Sequence, residues 1–188
     1  MRIIAGKYRG RKLKSPPSLQ TRPTSDRLRE TLFNILAPRI EGARFLDLCA
    51  GSGAAGIEAL SRGAAHVTFV DRSRKMYALI ETNLKSLNVN DDEIEVVSKE
   101  ALEFLRRWTK QGAVAFDIIF FDPPYRTDYE AVLDYVAQDA ARMLAEGGVI
   151  VVEHHRKKDL KEDFGGLKRY RTLKQGGSCL SFYELTAA

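Results

Sequence analysis

Short apolar runs alternate with longer amphipathic segments from Arg44 onward, and this alternation constrains the fold more than any other feature of the chain. We expect strands near 44–49, 67–71, 94–98, 116–121 and 148–153. Helices are expected near 54–62, 73–87, 100–108 and 129–145. The runs "VTFV", "FDIIFF" and "VIVVE" are almost wholly apolar, as in strands whose two faces are both covered by helices. The order therefore predicts a Rossmann-like, doubly wound α/β domain with a mostly parallel sheet.

Both ends of the chain depart from this alternation. At the N-terminus we expect short strands at about 2–5 and 10–14, then a helix that begins after Pro23 and ends at Pro38. At the C-terminus, "LKRYRTL" and "CLSFYEL" are joined by "KQGGS", which predicts an antiparallel hairpin at one edge of the sheet. The sequence thus divides into an N-terminal appendage, residues 1–38, and a main domain, residues 39–188.

Positive charge is concentrated at the N-terminus. Residues 1–29 contain nine Lys or Arg and one acid, Asp26, whereas the remaining chain has 21 basic and 24 acidic side chains. Such a basic segment on a near-neutral body is typical of a phosphate-rich partner. We expect RNA contacts from Lys7, Arg9, Arg11 and Lys12.

Other classes of protein are disfavoured by composition. The longest apolar runs are a few residues, far short of the roughly 20 that cross a bilayer, and the basic N-terminus lacks an apolar signal segment. Cys49 and Cys179 match no zinc spacing, and the adjacent His154 and His155 point to opposite faces of a strand. We therefore expect a cytoplasmic protein with no membrane partner and no metal.

The segment "FLDLCAGSGAAG" follows the first predicted strand. Gly51, Gly53 and Gly56 have G-x-G-x-x-G spacing, and Asp71 ends the second strand 18 residues beyond Gly53. This arrangement indicates a cofactor that carries adenosine, because loop amides bind polar groups and an acid accepts hydrogen bonds from the ribose. An NAD(P) oxidoreductase remains open at this point.

Two features oppose a dinucleotide. Asp47 lies just upstream of the loop, where it would repel a pyrophosphate but suit the ammonium of an amino acid. The run "FDPPY" ends the fourth strand, and a dehydrogenase has no need of two prolines and an aromatic residue there.

The motifs "DLCAGSG", "VD" and "DPPY" resemble those of S-adenosylmethionine methyltransferases that modify exocyclic amino groups of bases. The wider segments "RIIAGKYRGRKL", "RPTSDRLRETLFNIL" and "GGSCLSFYEL" resemble the bacterial 16S rRNA guanine-N2 methyltransferase family (RsmD) over nearly the whole chain. The resemblance implies S-adenosyl-L-methionine as cofactor and ribosomal RNA, or the small ribosomal subunit, as partner. It also implies a set of cofactor contacts: Asp47, Gly51, Gly53, Asp71, Glu100 and Ala101.

The residue types of the "DPPY" motif also indicate how it could activate the amino group of a base. Hydrogen bonds from the amino hydrogens of a base to the Asp122 carboxylate and the Pro123 carbonyl would pull the nitrogen towards sp³ geometry. Pro123 and Pro124 restrict the backbone, and Tyr125 offers a face for a base taken out of its stack. An adenine-N6 methyltransferase on DNA or RNA fits this chemistry equally well. A non-catalytic RNA-binding assembly factor is a further alternative.

Overall fold

The computed structural model describes residues 1–16, 26–112, 114–124 and 127–186. Its helices are α1 (Asp26–Ile40), α2 (Ala54–Ser61), α3 (Arg74–Leu87), α4 (Ala101–Lys110), α5 (Tyr129–Gln138) and α6 (Ala140–Met143). Its strands are β1 (Arg44–Leu48), β2 (His66–Val70), β3 (Ile94–Val97), β4 (Phe116–Phe121), β5 (Leu144–His155), β6 (Leu167–Gln175) and β7 (Ser178–Leu185).

All seven strands form one sheet in the order β3-β2-β1-β4-β5-β7-β6. The first five strands in that order are parallel, whereas β7 runs antiparallel to both β5 and β6. The predicted Rossmann-like sheet and C-terminal hairpin are therefore confirmed. Leu48 lies in register with Val70 on one side and Phe121 on the other, so β1, β2 and β4 end at the same level.

A separate hydrophobic core covers each face of the sheet. Phe45 belongs to the core that contains α1, α2 and α3, and its neighbour Leu46 belongs to the core under α4 and α5. This alternation explains why the strands are apolar at nearly every position. In the second core Trp108 stacks on Phe116 at 4.8 Å between ring centroids, so Trp108 packs in the interior as its helical spacing predicts.

Two predicted helix boundaries are wrong. α1 continues past Pro38 to Ile40, because a proline in the last turn removes one hydrogen bond near an exposed end while Ile40 gains burial. The single helix expected at 129–145 is instead α5 and α6, separated at Asp139. The strand β5 then begins at Leu144, which pairs with Phe116.

The basic segment at residues 1–14 is docked on the main body. Its two arms are joined by one β-bridge between Arg2 and Lys12 rather than by the two expected strands, with the Ile3 amide 3.0 Å from the Arg11 carbonyl oxygen. Ile3 and Leu13 are buried in the same core as α1 and β1. The division at residue 38 stays a prediction. Within the described ranges, no helix combines the length and apolarity that a membrane span requires.

Candidate active site

The glycine loop, Asp71 and the "DPPY" turn, which the sequence predicts to form the site, meet at the carboxyl edge of the sheet. The Ala50 amide donates to the Val70 carbonyl oxygen at 3.0 Å, which holds the glycine loop against the end of β2. The Asp122 amide donates to the Leu48 carbonyl oxygen at 3.2 Å, which holds the "DPPY" turn against the end of β1. In open α/β sheets this edge, near the change of strand order, is where ligands bind.

The glycine loop depends on backbone conformations that favour glycine. Gly53 is the N-cap of α2 with φ 77°, a left-handed conformation that is costly for residues with a Cβ. A Cβ at Gly56 would lie 2.3 Å from the Phe69 ring. Gly56 is therefore a packing residue of α2, as its position after the loop suggests.

Asp71 joins the loop to the following helix. Its Oδ2 accepts a hydrogen bond from the Gly51 amide at 2.9 Å, and its Oδ1 accepts one from the Ser73 amide at 2.8 Å. Each carboxylate oxygen retains a further lone pair. The side chain can therefore support the start of α3 and still accept hydrogen bonds from ligand hydroxyls.

Asp47 lies beneath the loop and is 1 % exposed. Its Oδ2 accepts a hydrogen bond from the Gly56 amide at 2.8 Å. Burial raises the pKa of Asp47 to about 7, and the nearby Asp71 charge adds to this effect against the opposing hydrogen bond from Gly56. A cation placed near this carboxyl would favour its ionised form.

A cavity of about 240 Å³ opens beside the loop. It brings together residues that follow β1, β2, β3 and β4: Cys49, Val70, Asp71, Arg72, Lys99, Glu100, Ala101, Leu102, Pro124, Thr127, Asp128, Ala131 and Val132. Asp71, Glu100, Ala101 and Pro124 thus share one cavity, whereas Asp47, Gly51 and Gly53 are not among the described residues that line it. The Glu100 carboxylate is paired with Arg72 at 3.1 Å, and both side chains are largely exposed.

Cys49 lines this cavity and has φ 65°. Burial, followed by the charges of Asp71 and Asp122, raises the pKa of the Cys49 thiol well above its usual range. A thiol that remains protonated is a poor nucleophile. This agrees with the interpretation of Cys49 as a packing residue.

The "DPPY" turn follows β4 and lies at the same carboxyl edge of the sheet. Asp122 is partly buried and Pro123 is buried, while Tyr125 lies outside the described residues. The hydroxyl of the buried Tyr129 donates to the Pro123 carbonyl oxygen at 3.4 Å. Sequence reasoning did not single out Tyr129, although a tyrosine at the first position of the helix after the turn is a visible signal.

The four basic residues predicted to contact RNA lie elsewhere. Lys7 is paired with Glu93, just before β3, at 3.0 Å, and Arg11 donates to the Ser86 carbonyl oxygen at 2.6 Å near the end of α3. The tip of the basic segment therefore lies towards the amino edge of the sheet, away from the cavity. Arg9 and Lys12 are exposed.

The adjacent histidines at the end of β5 have structural partners. His154 is buried, with Nε2 2.9 Å from the Ser181 hydroxyl and Nδ1 3.1 Å from the His155 carbonyl oxygen. Among the residues that the structure describes, no group of three or more His, Cys, Asp or Glu is placed to hold a metal ion.

The fold and site together define a Rossmann-like protein of the methyltransferase class, and solved structures agree. A protein from Escherichia coli, yhhF, provisionally described as a methyltransferase, superposes with a TM-score of 0.83 at 36% identity. The match covers 100% of this chain and 99% of that one. A hypothetical protein from Thermus thermophilus has the same TM-score at 31% identity, over 98% and 99% of the two chains.

Sequence comparisons identify the family. Residues 1–184 match the family described as conserved hypothetical protein 95. Ribosomal RNA small subunit methyltransferase D of Haemophilus influenzae is 37% identical over 91% of this chain and 92% of its own length. YlbH of Bacillus subtilis, provisionally named an rRNA methyltransferase, is 40% identical over 98% of each chain. The chain belongs to this family, the small-subunit rRNA methyltransferase D (RsmD) family.

Proposed function

We propose that the protein is an S-adenosylmethionine-dependent methyltransferase that acts on the exocyclic N2 amine of a guanine in 16S ribosomal RNA. The observation that carries this proposal is the position of the "DPPY" turn. The Asp122 amide is hydrogen-bonded to the end of β1, at the edge where Cys49, Asp71 and Pro124 line a cavity. Membership of the family, with a relative named for small-subunit rRNA methylation, supports the substrate.

The residues around the cavity fit S-adenosylmethionine. Asp71 has lone pairs left to accept hydrogen bonds from ribose hydroxyls, and Val70, Ala101 and Leu102 supply apolar walls for an adenine ring. Glu100 would bind the adenine amino group, and Asp47 would favour the ammonium of the methionine part. When bound, this cofactor supplies an activated methyl group.

Asp122 and Pro123 prepare the nucleophile. The lone pair of the guanine amino group is delocalised into the ring, so the nitrogen is a poor nucleophile. Hydrogen bonds from its hydrogens to the Asp122 carboxylate and the Pro123 carbonyl oxygen favour the pyramidal geometry of the transition state. A carbonyl oxygen accepts two hydrogen bonds, so Pro123 can bind the amine while Tyr129 donates to it.

The amino nitrogen must lose one proton as its bond to the methyl group forms. The Asp122 carboxylate is a base within the same turn that can take this proton before releasing it to water. Tyr125 is proposed as the face on which the extruded base lies. A ribosomal substrate also agrees with the cytoplasmic location that the sequence predicts.

Mass spectrometry of 16S rRNA nucleosides tests this proposal. Small ribosomal subunits from a strain that lacks this activity, incubated with the protein and labelled cofactor, should gain N2-methylguanine. Label in N6-methyladenine would instead support the alternative methyltransferase. Binding of NAD rather than S-adenosylmethionine in calorimetry would support an oxidoreductase.

Asp122→Ala tests the mechanism. We expect turnover to fall by at least about 100-fold, because the variant lacks a group that acts mainly in the transition state. Affinity for S-adenosylmethionine and for RNA should change little. Asp92→Ala, at an exposed acid before β3, is the matched control. Unchanged turnover in Asp122→Ala would contradict the mechanism, and absence of turnover in the wild type would favour a non-catalytic assembly factor.

A further inference from the structure

A second basic surface lies beyond the end of β5. The segment after His155 and the β6–β7 hairpin enclose an open groove of about 690 Å³. Nine of the described residues line it: His154, Arg156, Lys157, Lys158, Asp159, Arg169, Thr172, Lys174 and Cys179. Because His154 and Cys179 are buried, they form its floor, and the charged side chains form its rim. We call this feature the β5 groove.

Positive charge dominates the β5 groove. Of the nine lining residues that the structure describes, five are Lys or Arg and one, Asp159, is an acid. Arg156, Lys157 and Lys174 are exposed, and no ion pair joins them to an acid in the described part of the chain. The pKa of His154 lies below its ordinary value, chiefly because of burial, and Arg169 and Lys158 lower it further.

The β5 groove lies at the same edge of the sheet as the "DPPY" turn. β5 is parallel to β4 and adjacent to it, and the start of β7 at Ser178 pairs with His155 at the end of β5. The Lys158 ammonium lies 4.2 Å from the centroid of the Tyr129 ring, and the Tyr129 hydroxyl reaches the Pro123 carbonyl oxygen. A single buried side chain therefore links the groove to the turn that we propose holds the target base.

The chemistry of the lining indicates which part of a nucleic acid the groove would bind. The described lining contains no Phe, Tyr or Trp on which a base could stack. Lys and Arg side chains on an open surface are typical of phosphate contacts, which position a strand without reading its sequence. The cavity beside the glycine loop, by contrast, has apolar walls.

We propose that the β5 groove binds backbone phosphates of the RNA strand next to the methylated guanine and thereby presents that base to Asp122. This inference rests on the proposed function. Arg156, Lys157 and Lys174 supply exposed charges, while Arg169 is held in place by the Leu160 carbonyl oxygen at 3.0 Å and is paired with Glu162 at 3.3 Å. Lys158 lines the groove and also contacts Tyr129. The groove would therefore position the RNA strand and the target base together.

A triple variant, Arg156→Ala with Lys157→Ala and Lys174→Ala, tests the groove. Binding to a 16S rRNA transcript is measured as a function of salt. If each side chain contacts one phosphate, the slope of log K against log salt falls by about 2 to 3, and affinity at 0.15 M salt falls by about 100-fold. In methyl transfer, KM for RNA should rise while kcat at saturating RNA and affinity for S-adenosylmethionine stay unchanged.

The control removes the same charge at the opposite edge of the sheet. Arg106, Arg107 and Lys110 are exposed on the second half of α4, which runs away from the site, so their replacement by alanine should change the slope much less. Thermal unfolding checks that both triple variants fold. An unchanged slope in the groove variant would overturn the groove proposal, whatever the activity of the wild type. A reduced slope in a protein that transfers no methyl group would retain the groove and overturn the proposed function.

Discussion

Two aspartates at the glycine loop have different environments. Asp71 is partly exposed and lines the cavity, where two backbone amides already donate to its carboxylate. Asp47 is buried below the loop with a carboxyl pKa raised to about 7. Asp71 can therefore accept hydrogen bonds from ligand hydroxyls, and a cation near Asp47 would favour the ionised form of its carboxyl group.

The raised pKa of Asp47 makes stability depend on pH. Between about pH 4 and pH 7 the folded protein retains this proton and the unfolded chain does not. The contribution of Asp47 to the free energy of unfolding therefore falls as pH rises through this range and is constant above it. This pH dependence amounts to a change on the order of 4 kcal/mol in the free energy of unfolding between about pH 4 and pH 7, and Asp47→Asn should remove it. Urea unfolding at several pH values measures it, and parallel curves for the two proteins would contradict the assignment.

The basic N-terminal segment is held by the helix that follows the glycine loop. Glu58 of α2 is fully buried and accepts hydrogen bonds from the Ile4 amide at 2.8 Å and the Ala5 amide at 3.0 Å. The Arg62 Nε donates to the same carboxylate at 2.8 Å. A Cβ at Gly6 would lie 1.6 Å from the Ser61 carbonyl oxygen, so the segment lies directly on the end of α2.

The docking depends on a second buried polar side chain. The Asn83 Oδ1 of α3 accepts from the Lys14 amide at 2.8 Å, and its Nδ2 donates to the Ser52 carbonyl oxygen at 3.0 Å. One side chain thus connects the basic segment to the glycine loop. Deletion of residues 1–14 would remove these partners and expose the core, so charge-neutralising variants are the better probe of RNA binding.

We expect Glu58→Gln to destabilise the protein by about 3 to 5 kcal/mol, because it removes the buried negative charge that pairs with Arg62 and leaves one of the two backbone amides without an acceptor. Glu81→Gln is the control, since Glu81 forms an i,i+4 pair with Lys85 on the surface, where such pairs contribute about 0.5 kcal/mol. Urea unfolding measures both variants, and hydrogen exchange reports on the Ile4 and Ala5 amides. Equal losses in the two variants would refute this role of Glu58.

At the scale of the whole molecule, two basic surfaces lie towards opposite edges of the sheet. The tip of the N-terminal segment contacts Ser61, Ser86 and Glu93, whereas the β5 groove follows the carboxyl end of β5. A five-residue strand such as β1 separates the edges by about 17 Å. A bound RNA would therefore need to extend around the protein to reach both.

Substrates of different length should distinguish the two surfaces. Replacement of Arg9, Arg11 and Lys12 by alanine should weaken binding of a long 16S rRNA transcript and reduce its salt dependence. The same variant should bind a short hairpin around the target guanine about as well as the wild type, because that RNA cannot reach the amino edge. The β5 groove variant should lose affinity for both RNAs. Equal effects of the N-terminal variant on long and short RNA would contradict this arrangement.

Much of the fold was predictable because local patterns and burial agree. Apolar runs marked all five parallel strands, and "KQGGS" marked the turn of the C-terminal hairpin. The ends of helices were less predictable, since burial of Ile40 outweighs the effect of Pro38. Two N-terminal strands were predicted from a local pattern, but the structure has a single bridge there. The backbone of this segment is held mainly by Glu58, Ser61 and Asn83, which are distant in sequence.

By itself, the sequence determined where strands and helices alternate along the chain. It also determined the glycine loop with Asp71 and the "DPPY" turn. These features depend on residues that are close together in the chain. The tertiary structure decided which of them share a cavity, that Asp47 is buried below the loop, and that Tyr129 supports Pro123. It also decided where charge accumulates. The basic residues at 156–158 belong to a near-neutral stretch in sequence, and they form a surface only because β7 pairs with β5 and brings Arg169 and Lys174 beside them.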